Sequence, residues 1–169
     1  PILGNPKRHC QGRDVISIDD FTTDELLYLL KKTEEHKKQK DTLYATDSVL
    51  AHAFFEPSTR TRLSFLQAAK NIGMDILGFE SPETSSIQKN ESTHHTLEML
   101  RQYGADIIVL RHPWDGACKY AADLFPIPII NAGDGKNEHP TQTITDLFSI
   151  QETQGRLNNL KIALVGDLK

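Results

Sequence analysis

The sequence has few cysteines, no long apolar run and no excess of basic residues, and each absence argues against a class of protein. Its only two cysteines, Cys10 and Cys118, lie far apart without CxxC spacing, so we expect reduced side chains rather than a disulfide. No apolar run approaches the roughly 20 residues that cross a bilayer, and no signal-peptide core follows Pro1. We therefore expect a cytoplasmic protein with no membrane contact.

The charge balance argues against nucleic acid as the main partner. The chain has 19 basic and 23 acidic residues, a net charge of -4, and no basic cluster interleaved with aromatic side chains. Any anionic ligand must therefore be bound by groups concentrated at one place in the fold.

Apolar patterning switches repeatedly between the period of a strand and that of a helix. Phe21, Thr22 and Glu25 form a capping box at the start of the first helix. Strands that alternate with helices are typical of a parallel sheet covered on both faces, so we predict an α/β fold. The predicted strands are 49–55, 75–79, 106–110, 127–130 and 161–165, and the predicted helices are 22–39, 63–72, 93–103, 117–124 and 140–153.

Two segments, 80–92 and 131–139, are long, polar and poor in core residues. Loops of this length in a compact domain are more often functional than simple connections. Within the second segment, Gly133, Asp134 and Gly135 indicate a tight turn. The sequence contains neither GxGxxG nor GxxxxGK[ST], and adjacent His94 and His95 lack metal-ligand spacing with a third residue. We therefore expect neither a nucleotide cofactor nor a metal.

Candidate site residues follow three predicted strands. In open α/β sheets, ligands bind beyond the carboxyl ends of the strands, so these positions are expected to converge. Ser58 is a natural N-cap, and the helix after it offers free backbone N–H groups together with the fork of Arg60, a combination suited to a phosphate dianion. The alternative is that Ser58 only caps the helix while Arg60 and Arg62 pair with surface carboxylates.

His139 precedes Pro140 at the start of the last long helix, where the helix dipole favours a neutral imidazole. Together with Thr61 and Arg111, it is placed to donate to a carbonyl oxygen. Gln142 is placed to accept from an amide N–H. A lone histidine is usually structural, so this hypothesis depends on the other strand-end residues.

Several of these segments resemble a known family. The runs FFEPSTRTRLSF (54–65), RHP (111–113), NAGDGKNEHPTQT (131–143) and DLFSIQETQGRL (146–157) resemble the aspartate carbamoyltransferase catalytic chain. The resemblance implies a three-layer sandwich around a parallel sheet, and transfer of the carbamoyl group of carbamoyl phosphate to L-aspartate in pyrimidine biosynthesis. FFEP, RHP and the GDG turn favour aspartate over ornithine as acceptor, and ornithine carbamoyltransferase is the alternative enzyme.

The resemblance also implies a role for each matching residue. Ser58, Thr59, Arg60 and Thr61 would hold the phosphate; Thr61, Arg111 and His139 would contact the carbonyl oxygen, and Gln142 the carbamoyl nitrogen. The family forms homotrimers in which the neighbouring subunit lends a serine and a lysine, here Ser85 and Lys89. The match around Lys89 is looser, because the family often has Lys-Lys-Gly-Glu where this chain has Gln88, Lys89, Asn90 and Glu91.

The resemblance further implies two domains. Residues 1–154 would form the carbamoyl phosphate-binding domain and 155–169 the start of an aspartate-binding domain whose remainder is missing. On its own, such a chain is expected to bind carbamoyl phosphate weakly and to be inactive. A non-catalytic anion-binding assembly module is the alternative from another class, and the presence of regulatory chains stays open.

Overall fold

A four-stranded parallel sheet forms the centre of the computed structural model, which describes residues 12–39, 45–80 and 92–166. The strands are β1 (Val49–Phe54), β2 (Asp75–Glu80), β3 (Ile107–His112) and β4 (Ile129–Asp134). The helices are α1 (Thr23–Gln39), α2 (Thr59–Asn71), α3 (Thr93–Gln102), α4 (Ala117–Leu124) and α5 (Pro140–Gln154), and a short 3-10 helix spans Ile18–Asp20. Among these helices, none is both long and apolar enough to cross a membrane.

The strand order is β2-β1-β3-β4, and each neighbouring pair is parallel. The chain passes from β1 to β2 on one side and then places β3 on the other side of β1. The order therefore reverses between β1 and β3. In open parallel sheets, ligands bind outside the carboxyl ends of the strands at such a reversal point. The predicted α/β class is confirmed, and this fold places a crevice beside the ends of β1 and β3.

Side chains along each strand alternate between two apolar cores. One core lies against α3 and α4 and contains Ala51, Ala53, Leu97, Leu100, Ile108, Leu110, Cys118 and Ala121. The other lies against α2 and contains Leu50, Phe54, Ala69, Val109 and Ala132. Because successive strand residues point to opposite faces, helices must cover both sides of the sheet. The implied three-layer arrangement is confirmed.

The predicted capping box at the start of α1 is confirmed. The hydroxyl of Thr22 accepts a hydrogen bond from the backbone N–H of Glu25 at 3.3 Å, and Oε2 of Glu25 accepts one from the backbone N–H of Thr22 at 2.8 Å. Two N–H groups at the helix start are thereby satisfied. Arg13 donates from Nη1 to Oε1 of the same Glu25 at 3.0 Å, which ties the chain before α1 to the helix.

Strand β4 extends further than predicted. We expected 131–139 to be a loop with a turn at Gly133–Gly135, but residues 131–134 continue the strand, and the turn begins at Gly135. Polar side chains are buried here because they have partners. Asn131 donates to the carbonyl of Ile16 at 2.9 Å and accepts from the N–H of Gly133 at 2.8 Å. Asp134 accepts from the N–H of Gly116 at 2.9 Å, at the start of α4.

Several other boundaries differ from prediction, most of them by one or two residues. Helix α2 begins at Thr59, which agrees with Ser58 as the predicted N-cap and lies four residues before the apolar periodicity at 63–72. Strand β3 continues through Arg111 to His112. The predicted strand 161–165 is irregular, and its side chains at Ile162, Leu164 and Val165 are 62%, 75% and 95% exposed. A strand needs a hydrogen-bonded neighbour, and no described strand lies beside this segment. Most of the predicted loop 80–92 lies outside the described residues.

Candidate active-site cleft

A cleft of about 1000 Å³ opens at the reversal point, beside the first turns of α2 and α5. Its walls include seven of the nine predicted site residues: Ser58, Thr59, Arg60, Thr61, Arg111, His139 and Gln142. The structure therefore brings together the ends of β1 and β3 and the loop after β4. The chemical role of each residue stays a prediction. The other two, Ser85 and Lys89, lie outside the described residues.

The N-terminus of α2 forms one wall of the cleft. Ser58 has an extended backbone, with φ -158° and ψ 97°, and its side chain makes no capping hydrogen bond. Ser58 therefore occupies the predicted N-cap position, but its hydroxyl does not cap the helix. The first turn contains no acidic residue, and among the described residues Arg60 has no ion pair. Unpaired N–H groups, the positive helix end and a guanidinium thus meet in one turn, which favours an anion.

Arg111 forms the floor of the cleft and is held from two directions. Its Nη2 lies 3.2 Å from Oε1 of Glu56, and its Nη1 donates to the carbonyl oxygen of Ala132 at 3.1 Å. A Cβ atom at Gly133 would lie 2.6 Å from Nη1 of Arg111, and the backbone there has φ +125°. Glycine at this position therefore leaves the space that the guanidinium occupies.

Replacing Gly133 with alanine should displace the guanidinium of Arg111. The added methyl group overlaps Nη1, so the bond to the Ala132 carbonyl would break and the side chain would shift. We expect Gly133→Ala to weaken the binding of carbamoyl phosphate about tenfold, the effect of losing one hydrogen bond to a charged group, because Arg111 is predicted to contact the carbonyl oxygen of that ligand. Isothermal titration with carbamoyl phosphate measures this. Gly104→Ala is the control, because Gly104 also has a positive φ, +92°, but no atom within 4 Å of the added Cβ; equal losses in both variants would rule out the mechanism.

His139 is the N-cap of α5 and faces the cleft beside Arg111. Its Nδ1 lies 3.2 Å from the hydroxyl of Thr141. Burial is the main cause that lowers the pKa of His139, the nearby guanidinium of Arg111 lowers it further, and Asp146 partly opposes both. The imidazole is therefore neutral at pH 7, as the sequence predicted, although burial is the main reason rather than the helix dipole. A neutral imidazole has one N–H to donate.

Gln142 is an exposed residue in the first turn of α5 and lines the cleft. Its Nε2 donates to Oδ1 of Asp146 at 2.9 Å. Of the described residues that line the cleft, Arg60 and Arg111 are cations and Gln142 is the one carboxamide. Among the described residues, no group of three or more His, Cys, Asp or Glu side chains is arranged to hold a metal ion.

Two residues that position Arg111 were not assigned a role from the sequence. Glu56 occurs in the FFEP run but has no motif of its own, and Gly133 was interpreted as part of a turn. A glycine within a strand often marks a close approach of another group. The sequence placed Gly133 in a turn, so this rule could be applied to it only after the structure had placed it in β4.

Two other residues considered in the sequence analysis, His94 and Cys118, do not line the cleft. His94 stacks on Phe125, with ring centroids 5.3 Å apart, which agrees with a structural role. Cys118 is a buried free thiol, and burial raises its pKa, which disfavours the reactive thiolate. Cys10 lies outside the described residues.

Two histidines, the buried His112 and the half-buried His139, should make stability depend on pH. Burial lowers the pKa of both His112 and His139 from the ordinary value of 6.5. The unfolded chain therefore takes up protons below pH 6.5 that the folded chain does not, so the free energy of unfolding should decrease as pH falls below 6.5. Urea unfolding at pH 7.5, 6.5 and 5.5 measures the slope.

His112→Asn provides the comparison for this pH effect. Nδ1 of His112 accepts from the N–H of Trp114 at 3.1 Å, and the Oδ1 of asparagine can replace this acceptor without being protonated. The variant should therefore lose less stability between pH 6.5 and pH 5.5 than the wild type. Parallel curves for the two proteins would count against a contribution from His112.

Comparison with known proteins gives consistent results. A family model described as "Aspartate/ornithine carbamoyltransferase, carbamoyl-P binding domain" matches residues 13–152. An aspartate carbamoyltransferase catalytic subunit of Thermococcus onnurineus is 48% identical over 163 residues, which covers 94% of this chain and 52% of that protein. One of Phocaeicola vulgatus is 47% identical over 159 residues, with 94% and 50% covered. The chain thus spans about half the length of these curated relatives.

Solved structures show the same architecture. Aspartate transcarbamoylase from Trypanosoma cruzi, in complex with N-(phosphonacetyl)-L-aspartic acid, superposes with a TM-score of 0.86 and 32% identity, over 95% of this chain and 51% of that one. The catalytic subunit of M. jannaschii aspartate transcarbamoylase gives a TM-score of 0.79 at 43% identity, over 93% and 52%.

Fold and cleft together define a parallel α/β protein with a cleft, lined by arginines and a helix N-terminus, at the switch point of its sheet. More particularly, the chain belongs to the aspartate/ornithine carbamoyltransferase family, and residues 13–152 correspond to its carbamoyl phosphate-binding domain.

Proposed function

We propose that this chain is the N-terminal part of an aspartate carbamoyltransferase catalytic chain. The full enzyme would transfer the carbamoyl group of carbamoyl phosphate to L-aspartate, giving N-carbamoyl-L-aspartate and phosphate in pyrimidine biosynthesis. The observation that carries the proposal is the convergence of Arg60, Arg111 and His139 on one cleft. The names of the relatives favour aspartate over ornithine as acceptor.

The phosphate of carbamoyl phosphate is assigned to the first turn of α2. Ser58, Thr59 and Thr61 supply hydroxyls and backbone N–H groups, and Arg60 supplies a full positive charge. Hydrogen bonds to an ionised partner are roughly twice as strong as neutral ones. The dianionic phosphate is therefore the part of the ligand that binds this helix turn most strongly. No carboxylate of this turn opposes it.

The carbonyl oxygen is assigned to Thr61, Arg111 and His139. When the deprotonated amine of aspartate attacks the carbonyl carbon, the C=O electron pair moves onto oxygen, and these donors stabilise the oxyanion. The oxyanion then re-forms the C=O bond, and phosphate leaves with the electrons of the broken C–O bond and takes up the proton that the attacking nitrogen loses. A neutral His139 donates to this oxygen without giving up its proton. The transfer needs no covalent intermediate with the protein, and alignment of the two substrates supplies much of the rate.

We assign the residues that bind L-aspartate to a domain other than the carbamoyl phosphate-binding domain. We propose that residues 1–154 form that domain and that 155–169 begin the aspartate-binding domain. The chain by itself is then expected to bind carbamoyl phosphate weakly and to turn over no aspartate. Calorimetric titration with carbamoyl phosphate tests the first half of this expectation, and absence of binding at millimolar ligand would refute the proposal.

A bisubstrate phosphonate analogue tests the second half. Such a ligand joins a phosphonate to an aspartate moiety, so it gains affinity only where acceptor-side residues are present. We expect it to bind this chain no more tightly than carbamoyl phosphate does. Much tighter binding would show that acceptor contacts lie within these 169 residues. If the extended protein bound carbamoyl phosphate but carbamoylated neither aspartate nor ornithine, it would instead be a non-catalytic anion-binding module.

We also propose a cytoplasmic homotrimer in which Ser85 and Lys89 complete the cleft of the neighbouring subunit. In subunits extended to the length of the relatives, Lys89→Ala and Arg60→Ala should each abolish most activity. Mixed trimers should recover part of it, because some clefts would then combine an intact Arg60 with an intact Lys89. Activity assays after mixing, with the trimer composition checked by mass, measure this. No recovery in verified mixed trimers would contradict shared sites.

A further inference from the structure

The carboxamide of Gln142 is held in one orientation by a residue outside the cleft. Asp146 lies one helical turn further along α5, and its Oδ1 is 2.9 Å from Nε2 of Gln142. A carboxylate accepts hydrogen bonds and cannot donate them, so the amide atom that faces Asp146 must be the nitrogen. Exchange of the amide oxygen and nitrogen would place two acceptors against each other. Oε1 is therefore the amide atom that remains for a ligand.

This orientation matters because of what surrounds Gln142. Gln142 lines the cleft, whereas Asp146 does not. The guanidinium groups of Arg60 and Arg111 can only donate, and they suit the oxygen atoms of a ligand. The Oε1 of Gln142 can only accept, so it suits a ligand N–H. An NH₂ group on the carbonyl carbon is the feature that distinguishes carbamoyl phosphate from acetyl phosphate and similar acyl phosphates.

We propose that Asp146 is a positioning residue that fixes Oε1 of Gln142 toward the ligand and so makes the cleft select a carbamoyl over an acetyl group. The inference rests on the proposed function, since it concerns the same cleft and the same ligand class. Asp146 contacts no substrate in this assignment. It acts through Gln142 alone, by removing the alternative orientation of the amide.

The effect of Asp146 on the pKa of His139 shows that this carboxylate lies near the cleft. Among the causes that set the pKa of His139, burial and Arg111 lower it, and the charge of Asp146 raises it. The carboxylate is therefore close enough to act on the cleft without lining it. Its negative charge should weaken the binding of every phosphate ligand slightly, so a test must separate selectivity from overall affinity.

Carbamoyl phosphate and acetyl phosphate form the appropriate pair of probes. They share the phosphate and the carbonyl, and differ only in the NH₂ group that a methyl replaces. The ratio of their dissociation constants cancels any general effect of charge. We expect the wild type to bind carbamoyl phosphate about tenfold more tightly than acetyl phosphate, and Asp146→Asn to reduce that ratio about threefold, within the range of one hydrogen bond. Asparagine accepts either amide orientation, so it no longer holds Gln142.

Two matched variants complete the experiment. Asp146→Glu retains an acceptor-only carboxylate and should keep a ratio close to that of the wild type. Asp123→Asn removes the same charge from the exposed surface of α4, where Asp123 pairs with Lys119, and should leave the ratio unchanged. A proton NMR titration of His139 checks the Asp146→Asn variant, in which the pKa of this histidine should fall.

The outcomes separate this inference from the proposed function. A reduced ratio in Asp146→Asn, with wild-type ratios in both control variants, supports the role of Asp146. An unchanged ratio in Asp146→Asn, or a wild type that does not distinguish the two ligands, overturns the inference alone. A wild type that binds neither acyl phosphate overturns the proposed function, and this inference with it.

Discussion

Arg60→Ala should weaken the binding of carbamoyl phosphate by about 1.5 to 3 kcal/mol, the range of a hydrogen bond to a charged group. Arg60 is the second residue of α2 and lines the cleft, so its charge adds to the positive end of the helix. Among the described residues it has no ion pair that would have to break before a ligand binds. Calorimetry of the two proteins at the same ionic strength measures the loss.

The control for this loss is Arg156→Ala. Arg156 is exposed just beyond the end of α5 and does not line the cleft. Its removal changes the net charge by the same amount, so it corrects for long-range attraction of the dianion. The affinity of Arg156→Ala should stay close to that of the wild type. If both variants lost the same affinity, Arg60 would act only through net charge and would have no place in the site.

Gly78→Ala should destabilise the fold by about 3 kcal/mol, because the new side chain meets backbone that cannot move aside. Gly78 pairs with His52 in the β1–β2 ladder and has φ +132°. A Cβ atom at this position would lie 2.0 Å from the carbonyl oxygen of His52 and 2.8 Å from its backbone nitrogen. Either the two strands separate or the residue leaves its conformation. Urea unfolding monitored by circular dichroism measures the change.

Gly104→Ala again serves as the control, because it has a positive φ without a nearby atom. Its cost should be about 1 kcal/mol, the strain of an L-residue in that conformation. The difference between the two variants isolates the steric overlap at β1. Equal destabilisation would mean that backbone strain alone explains the effect at Gly78.

The sequence predicted the bounds of two helices well. Helix α4 has its predicted bounds. Helix α1 begins one residue after its predicted start, and its capping box joins Thr22 to Glu25, which are close in sequence. Prediction failed where polar residues are buried. Asn131 and Asp134 were interpreted as loop residues, yet both are almost fully buried in β4. Their partners, the carbonyl of Ile16 and the N–H of Gly116, are distant in sequence, so no local pattern reveals them.

In the candidate site, too, residues recognisable from local sequence were predicted, and residues whose role depends on distant contacts were not. Ser58 to Thr61, Arg111, His139 and Gln142 were found because each follows a predicted strand, and the carboxyl ends of parallel strands share one edge. Glu56 contacts Arg111 from the end of β1, and Gly133 leaves space for Arg111 from β4. Both depend on the pairing of β3 with its neighbouring strands, and both were missed. Asp146 was quoted only as part of a family run, since its role depends on the amide orientation of a neighbour.

By itself, the sequence determined the α/β alternation, the helix starts and the residue types that gather at the strand ends, because these depend on neighbours within one or two turns. Only the tertiary structure decided that β4 runs on to Asp134, that 161–165 is not a strand, and that Arg111 lies over Gly133. Those outcomes depend on which distant backbone groups are available as hydrogen-bond partners and on how much space they leave, and neither quantity is encoded in local spacing.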